Sequence, residues 1–117
     1  MSIVNPIFDE LARMKSEAVP DSPEDFDFII TSGDNLYAMD AQYPMPSEIY
    51  SMVDLFMSRP AIRDIPIYPV RGNHDGYWKD QDILPNLSKK VTTWNMPNHF
   101  YEKQFEIGPN GEKFALL

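Results

Sequence analysis

Apolar positions recur along the chain at two spacings. Ile7, Leu11, Met14 and Ala18 follow a helical period and predict an amphipathic helix that packs on a sheet. Asn5 can cap it, Pro6 is tolerated at the first helical position, and Asp9 and Glu10 suit the positive end of the helix. Pro20 and the following Asp21-Ser22-Pro23 stop it. Phe26 to Ser32 is instead a short, nearly continuous apolar run, the pattern of a strand covered on both faces in a parallel sheet, and Gly33 ends it. After a loop over 36–45, Ser47 is the expected cap of a second helix, with Ile49, Met52, Val53 and Phe56 on its inner face. Pro60 lies past its end. Ile65 to Val70 is the next strand, although Pro66 and Pro69 lack ladder donors and point to an irregular segment. Strand, helix and strand in this length make a βαβ unit.

Residues 76–98 predict a loop with a helical turn at Asp82 to Lys90. Trp78, Trp94, Phe100 and Tyr101 are expected to form a cover packed on the sheet, because large aromatic rings gain most from burial. Phe100 to Ile107 reads as a strand, Gly108-Pro109-Asn110-Gly111 as a turn, and Lys113 onward as the antiparallel return. The fold class is therefore α/β: a βαβ unit followed by a hairpin. Lys113 to Leu117 is an apolar strand pattern with no turn or polar tail after it, which leads us to expect a piece of a longer domain.

Composition narrows the function classes. A chain of 117 residues has room for one domain. Eighteen acidic against ten basic residues give a net charge of −8 with no basic stripe, a poor match to nucleic acid or to an anionic membrane. No apolar run reaches membrane-spanning length, and no signal-peptide order of basic, apolar and small residues opens the chain. The absence of cysteine excludes disulfides, thiolate metal sites and cysteine nucleophiles.

The chemistry gathers where the two apolar runs stop. The first ends in Gly33-Asp34-Asn35 with Tyr37 close behind, and the second in Arg71-Gly72-Asn73-His74-Asp75. Glycine permits a sharp turn, the Asn73 amide oxygen is a neutral hard ligand, and His74 can carry a proton near neutral pH. In an open α/β sheet, ligands gather beyond the carboxyl ends of strands. Neighbouring strands lie about 4.8 Å apart, so Asp34 and Asn73 can converge. A carboxylate has two oxygens and can bridge two cations at the separation of about 3.5–4 Å that phosphoryl chemistry uses. Asp34 is thus a candidate bridge and Asn73 a candidate ligand. Asn35 and Asp75 are expected to shape their turns through local hydrogen bonds, with Asp75 a candidate to orient His74. His99 falls outside both motifs and reads as a surface or packing residue.

The two motifs, in this order and each closing an apolar strand, resemble those of the calcineurin-like metallophosphoesterases. Gly33 to Tyr37 narrows the resemblance to the purple, tartrate-resistant type of acid phosphatase. The resemblance implies the N-terminal part of a β-sandwich flanked by helices, incomplete over residues 1–117. It implies hydrolysis of a small phosphate ester at a dinuclear centre of iron with iron or zinc. Tyr37 matches the ferric-ion ligand whose charge transfer colours the family; its other reading is a loop aromatic capping the core. If Tyr37 is not a ligand, a manganese-type centre fits better. His74 matches the histidine that contacts the substrate phosphate or protonates the leaving group; its other reading is structural. A secreted, lysosomal or vacuolar location is expected from the family. Three departures stand against the matches. No aspartate-bearing strand precedes Asn5, the family's three later histidines have no counterpart, and Gly76 stands where relatives often carry histidine. The resemblance therefore supplies half a site. It leaves open a phosphodiesterase or protein phosphatase of the same superfamily, or a non-catalytic fragment.

Overall fold

A computed structural model describes residues 5–107 and 110–116. Helix α1 (Pro6–Glu17) begins as the sequence predicts, with the Asn5 carboxamide oxygen accepting from the backbone N–H groups of Ile7 and Phe8 at 3.1 and 3.4 Å. Leu11, Met14 and Ala18 of the expected stripe are half-buried, and the stripe departs from expectation at Ile7. Ile7 is exposed, whereas Phe8 meets Phe56 edge-on with ring centroids 4.6 Å apart. The helix meets helix α2 (Pro46–Met57) through this contact and through the ion pair between Asp9 and Arg59 at 3.0 Å, and its Leu11 lines a cleft with Ile29 and Ile30. One residue of helix turns the side chain by about 100°, so Phe8 and Ile7 lie on different edges of a broad apolar stripe.

Helix α2 presents Met52, Val53 and Phe56 to the core as expected. Its start lies before Ser47. Met45 takes the cap position, Pro46 the first helical one, and the Glu48 carboxylate accepts from the N–H groups of Met45 at 2.8 Å and Met39 at 2.9 Å. An acidic side chain reaching back from the third helical position does the work that a serine cap would have done.

The βαβ unit is present. Strand β1 (Ile29–Ile30) runs parallel to β2 (Ile67–Tyr68), pairing Ile29 with Ile67 and Ile30 with Tyr68. Both strands are far shorter than the apolar runs that predicted them. Pro66 and Pro69 bracket β2 and donate nothing to a ladder. The first run is also not covered on both faces, since Ile30 is half-exposed. On its other side Ile67 bridges to the segment around Trp94, donating to the Thr93 carbonyl at 2.8 Å and accepting from Asn95 at 2.9 Å.

The core lies between α2, β2 and the segment that follows. Ile62, Ile67, Trp94 and Met96 are almost wholly buried, with Trp78, Leu84 and Leu87 around them. The short helix α3 (Ile83–Leu87) realises the predicted helical turn, and its Leu84 carbonyl accepts from the Trp94 indole at 3.0 Å. Of the four aromatics expected to form the cover, the two tryptophans and the half-buried Tyr101 do so, and Phe100 stands 86% exposed. Tyr101 occupies the inward place next to it, donating its hydroxyl to the Pro69 carbonyl at 2.6 Å.

Strands β3 (Lys103–Ile107) and β4 (Glu112–Leu116) form the predicted antiparallel hairpin. Gly108 and Pro109 of the predicted turn lie outside the described residues. The hairpin reaches the first sheet through Phe105, which stacks on Phe28 at 4.5 Å and meets Tyr68 edge-on at 5.4 Å. The described strands thus build two separate two-stranded sheets. Among the described residues no helix is long and apolar enough to cross a membrane.

Candidate active site

The two parallel strands are too short to hold a site by themselves, and the turns that follow them are locked by other means. Gly33 and Asp34 both take the left-handed conformation, with φ of 105° and 49°. Aspartate tolerates that region better than most residues, and glycine does so without strain. The chain thereby turns so sharply that Gly33 lies against Gly72, where an added Cβ would stand 2.9 Å from the Gly72 Cα. A Cβ on Gly72 would overlap the backbone nitrogen and carboxylate of Asp34. The two motif glycines are therefore each other's contact, and their lack of side chains sets how close the two strand ends come.

Asp75 fastens this contact. Its carboxylate is buried and accepts from the Asn35 backbone N–H at 3.1 Å, the Asn35 amide nitrogen at 2.8 Å and the Gly72 N–H at 3.0 Å. Asn35 extends the network by donating to the Val70 carbonyl at 2.8 Å and accepting from the Thr31 hydroxyl at 2.5 Å. Removing the carboxylate would leave the part-buried Asn35 and Gly72 backbone N–H groups unpaired, at up to about 1–3 kcal/mol for each such group. The expectation for these two residues is corrected in one respect. Beside the local bonds, Asp75 to Gly72 and Asn35 to Thr31, the two residues bind each other across 40 positions of sequence. Thr31 was not singled out in the sequence; its only signal there was a hydroxyl at the end of an apolar run.

The candidate chemical groups meet on the outer side of this clamp. Asp34 Oδ1 accepts from the His74 backbone N–H at 2.9 Å, and Oδ2 accepts from the Tyr37 hydroxyl at 3.2 Å. The Asn73 amide faces the same carboxylate; oriented to donate, its nitrogen lies 3.2 Å from both oxygens. The His74 imidazole sits between two tyrosine rings, 4.7 Å from Tyr37 and 5.3 Å from Tyr77. Tyr77 was also not singled out in the sequence, although a residue three or four places after His74 and Asn73 in a helical turn shares their face. The phenol of Tyr37 is held above its ordinary pKa, first by desolvation and then by the charge of Asp34 beside it. Asp34, Tyr37, Asn73 and His74 are thus brought together as the motif spacing predicted. His99 is elsewhere, its ring nitrogen 3.3 Å from Asp82 at the start of α3, which agrees with a packing role.

As a metal site the arrangement is one-sided. Three oxygen donors converge, from Asp34, Tyr37 and Asn73, which suits hard cations. Among the described residues no group of three or more histidine, cysteine, aspartate or glutamate side chains could enclose a metal ion. The residues fit one wall of a centre and do not close it.

Two strand ends that present Gly-Asp-Asn and Gly-Asn-His-Asp to one another define a metal-dependent phosphoesterase class, and the chain belongs to the calcineurin-like phosphoesterase family, whose model matches residues 5–115. Within that family it is similar to tartrate-resistant acid phosphatase type 5. The Sus scrofa protein is 29% identical over 110 residues, covering 92% of this chain and 32% of that protein. The Mus musculus protein is 35% identical over 103 residues (84% and 30%), and the Homo sapiens protein 32% over 93 residues (78% and 28%). The chain thus spans about a third of the length of the curated relatives it matches. No solved structure is a significant match.

Proposed function

We propose that this chain is part of an acid-phosphatase-like phosphomonoesterase domain and supplies one wall of its metal centre. The observation that carries the reading is the convergence of Asp34, Asn73 and His74 beyond two adjacent parallel strands, with the turns clamped by Asp75. In this reading a dinuclear centre of iron with iron or zinc would be held by Asp34 as the shared carboxylate, by Asn73 as a neutral oxygen ligand and by Tyr37 as a phenol ligand. Such a pair of cations supplies the Lewis acidity that makes a water nucleophilic near neutral pH. His74, held between Tyr37 and Tyr77, contacts the phosphate or donates a proton to the leaving oxygen. The substrate is a small phosphate ester, and the two sheets are part of a larger β-sandwich. A secreted, lysosomal or vacuolar location belongs to the same reading.

The one-sided ligand set supports a second statement: the 117 residues alone do not turn over phosphate esters. Their two histidines are His74 and His99, and His99 pairs with Asp82. An iron or zinc site of this type also wants imidazoles.

The test is a chimera in which residues 5–115 replace the matched segment of the Sus scrofa phosphatase. It is expected to release phosphate from an aryl phosphate at mildly acidic pH with iron and zinc supplied, and to show a purple band. Asp34→Ala should abolish two-metal stoichiometry, and Tyr37→Phe should remove the band while keeping the fold. Equal metal content in Asp34→Ala and its parent would sink the bridging role. Robust turnover by the soluble 117-residue chain would overturn the second statement.

A further inference from the structure

Asn86 is a side chain that the fold does not account for. It sits in α3, exposed to solvent, and its carboxamide makes no hydrogen bond among the described residues. Its backbone is ordinary, with the N–H donating to the Asp82 carbonyl at 2.8 Å. Asparagine is among the poorer helix formers, so an exposed helical position does not select it. Nor does it cap α3, whose cap position is held by Asp82.

Asn86-Leu87-Ser88 is the one place in the chain where asparagine stands two residues before serine or threonine. That spacing is the acceptor pattern for N-linked glycan transfer. Ser88 is explained by the fold, since its hydroxyl donates to the Met96 carbonyl at 3.0 Å and accepts from the Met96 N–H at 2.9 Å. A tripeptide pattern by itself carries little, and the surroundings of Asn86 supply a second observation. Asn86 lines a groove of about 250 Å³ between α2 and α3, with Ile49, Tyr50, Ile83, Asp80 and Lys90. Tyr50 is 58% exposed, and its hydroxyl has no partner among the described residues. An aromatic ring beside a carboxylate and an ammonium group suits a sugar. The apolar ring face takes the sugar's C–H groups, and the charged side chains take its hydroxyls.

We infer that Asn86 is an N-glycosylation site and that the first sugar of its glycan lies in this groove against Tyr50. The inference rests on the secretory location that belongs to the reading above. The donor class is an oligosaccharide carried on a polyprenyl diphosphate, with N-acetylglucosamine at its reducing end. The Asn86 amide nitrogen forms a bond to C1 of that sugar, the bond from C1 to the diphosphate oxygen breaks, and one amide proton leaves with the diphosphate. The transfer takes the segment extended, before α3 forms, so the bonds between Ser88 and Met96 do not oppose it. After folding, a bulky polar group covers an apolar groove that otherwise faces solvent.

The experiment places a cleavable secretory leader on the 117-residue chain and expresses it in a eukaryotic host as the parent, Asn86→Gln, Ser88→Ala and Ser88→Thr. Peptide mass spectrometry reads the glycan. The parent and Ser88→Thr should carry one at Asn86, and Asn86→Gln and Ser88→Ala should carry none. An unmodified parent, or a glycan on Asn86→Gln, overturns the inference. When the parent's glycan is trimmed to its first sugar, nuclear Overhauser contacts should join the N-acetyl methyl group to the Tyr50 ring. A glycan at Asn86 without those contacts overturns its placement in the groove. The leader imposes entry to the secretory pathway, so failure in this host leaves the location and the phosphatase reading untouched. The protein isolated from its own source tests the location. A glycan at Asn86 there supports both, and a bare Asn86 beside a modified leader-driven chain overturns the location and the inference with it.

Discussion

Strands β3 and β4 are joined at five paired positions and β1 and β2 at two, yet the residues of both motifs sit at the ends of the shorter pair. The hairpin is regular, and its order comes from a repeating backbone ladder that meets the rest of the molecule through Phe105 on Phe28 and Tyr68 and through Lys103 over the Tyr68 ring. The site is irregular, and its order comes from things that occur once. These are two glycines in contact, a buried carboxylate with three donors, and an aspartate in the left-handed region. A ladder tolerates substitution because each pair contributes about 0.2–1 kcal/mol and no pair is indispensable. A turn held by unique contacts has no such redundancy, but it fixes side chains more tightly than a strand of two residues could. The contrast suits a chemical site, whose groups must be held in place by rigid surroundings.

The largest effect expected from breaking this contrast is at Gly72. In Gly72→Ala the new methyl group must enter space that Asp34 occupies, so the two turns separate. Overpacking of this kind costs about 1–3 kcal/mol, and backbone on the receiving side puts this case at about 3 kcal/mol. Urea denaturation should show that loss. Hydrogen exchange should show it as faster exchange of the Asn35 and His74 amides, while the β3–β4 amides keep the parent's protection relative to global unfolding. A loss below about 1 kcal/mol would mean that the close approach of the two glycines is not what holds the site.

Phe105→Ala tests the other region. The ring is half-buried and its stacking partners add about 0.5–1.5 kcal/mol beyond area, so a total cost of about 2 kcal/mol is expected. Hairpin amides should lose protection first, and the Asp34–His74 and Asp75–Asn35 bonds should persist in nuclear magnetic resonance spectra. Loss of the site contacts along with the hairpin would show that the two regions are one cooperative unit, and the contrast drawn above would fail.

The same contrast explains what was legible in the sequence. The βαβ order, the hairpin and the inner face of α2 could be read because each follows from periodicity or from turn residues, which are local. The meeting of Asp34 with Asn73 and His74 could be read because two motifs closed two strands. The long-range terms were not legible. That Asp75 binds Asn35 rather than orienting His74 depends on how closely Gly33 approaches Gly72, and no spacing within either motif encodes that distance. That Phe8 rather than Ile7 faces inward depends on Asp9 meeting Arg59 fifty positions away. That Met45, not Ser47, sits at the cap of α2 depends on Glu48 also reaching Met39. In each case polar contacts outside the local pattern set the outcome.

Tyr101 joins the two regions and yields the smallest effect. It lies just before β3, and its hydroxyl donates to the carbonyl of Pro69, two residues before Arg71. Burial, and to a lesser degree Tyr68 nearby, pushes its pKa from the ordinary 10.0 up to about 12. A phenol is neutral when protonated, so a raised value means that the folded chain keeps the proton to higher pH than the unfolded chain does. The stabilisation is therefore fully present below about pH 10 and is lost as pH rises through about 12. In Tyr101→Phe the ring remains but the bond to Pro69 does not, which costs about 1 kcal/mol below pH 10. Above that pH the variant lacks this proton-linked loss, so the difference between parent and variant should shrink steadily towards pH 12. Denaturant midpoints of both proteins measured at pH 8, 10 and 11.5 give the comparison directly. A difference that stays constant across that range would show that the hydroxyl bond does not link the hairpin stem to the strand that carries Asn73 and His74.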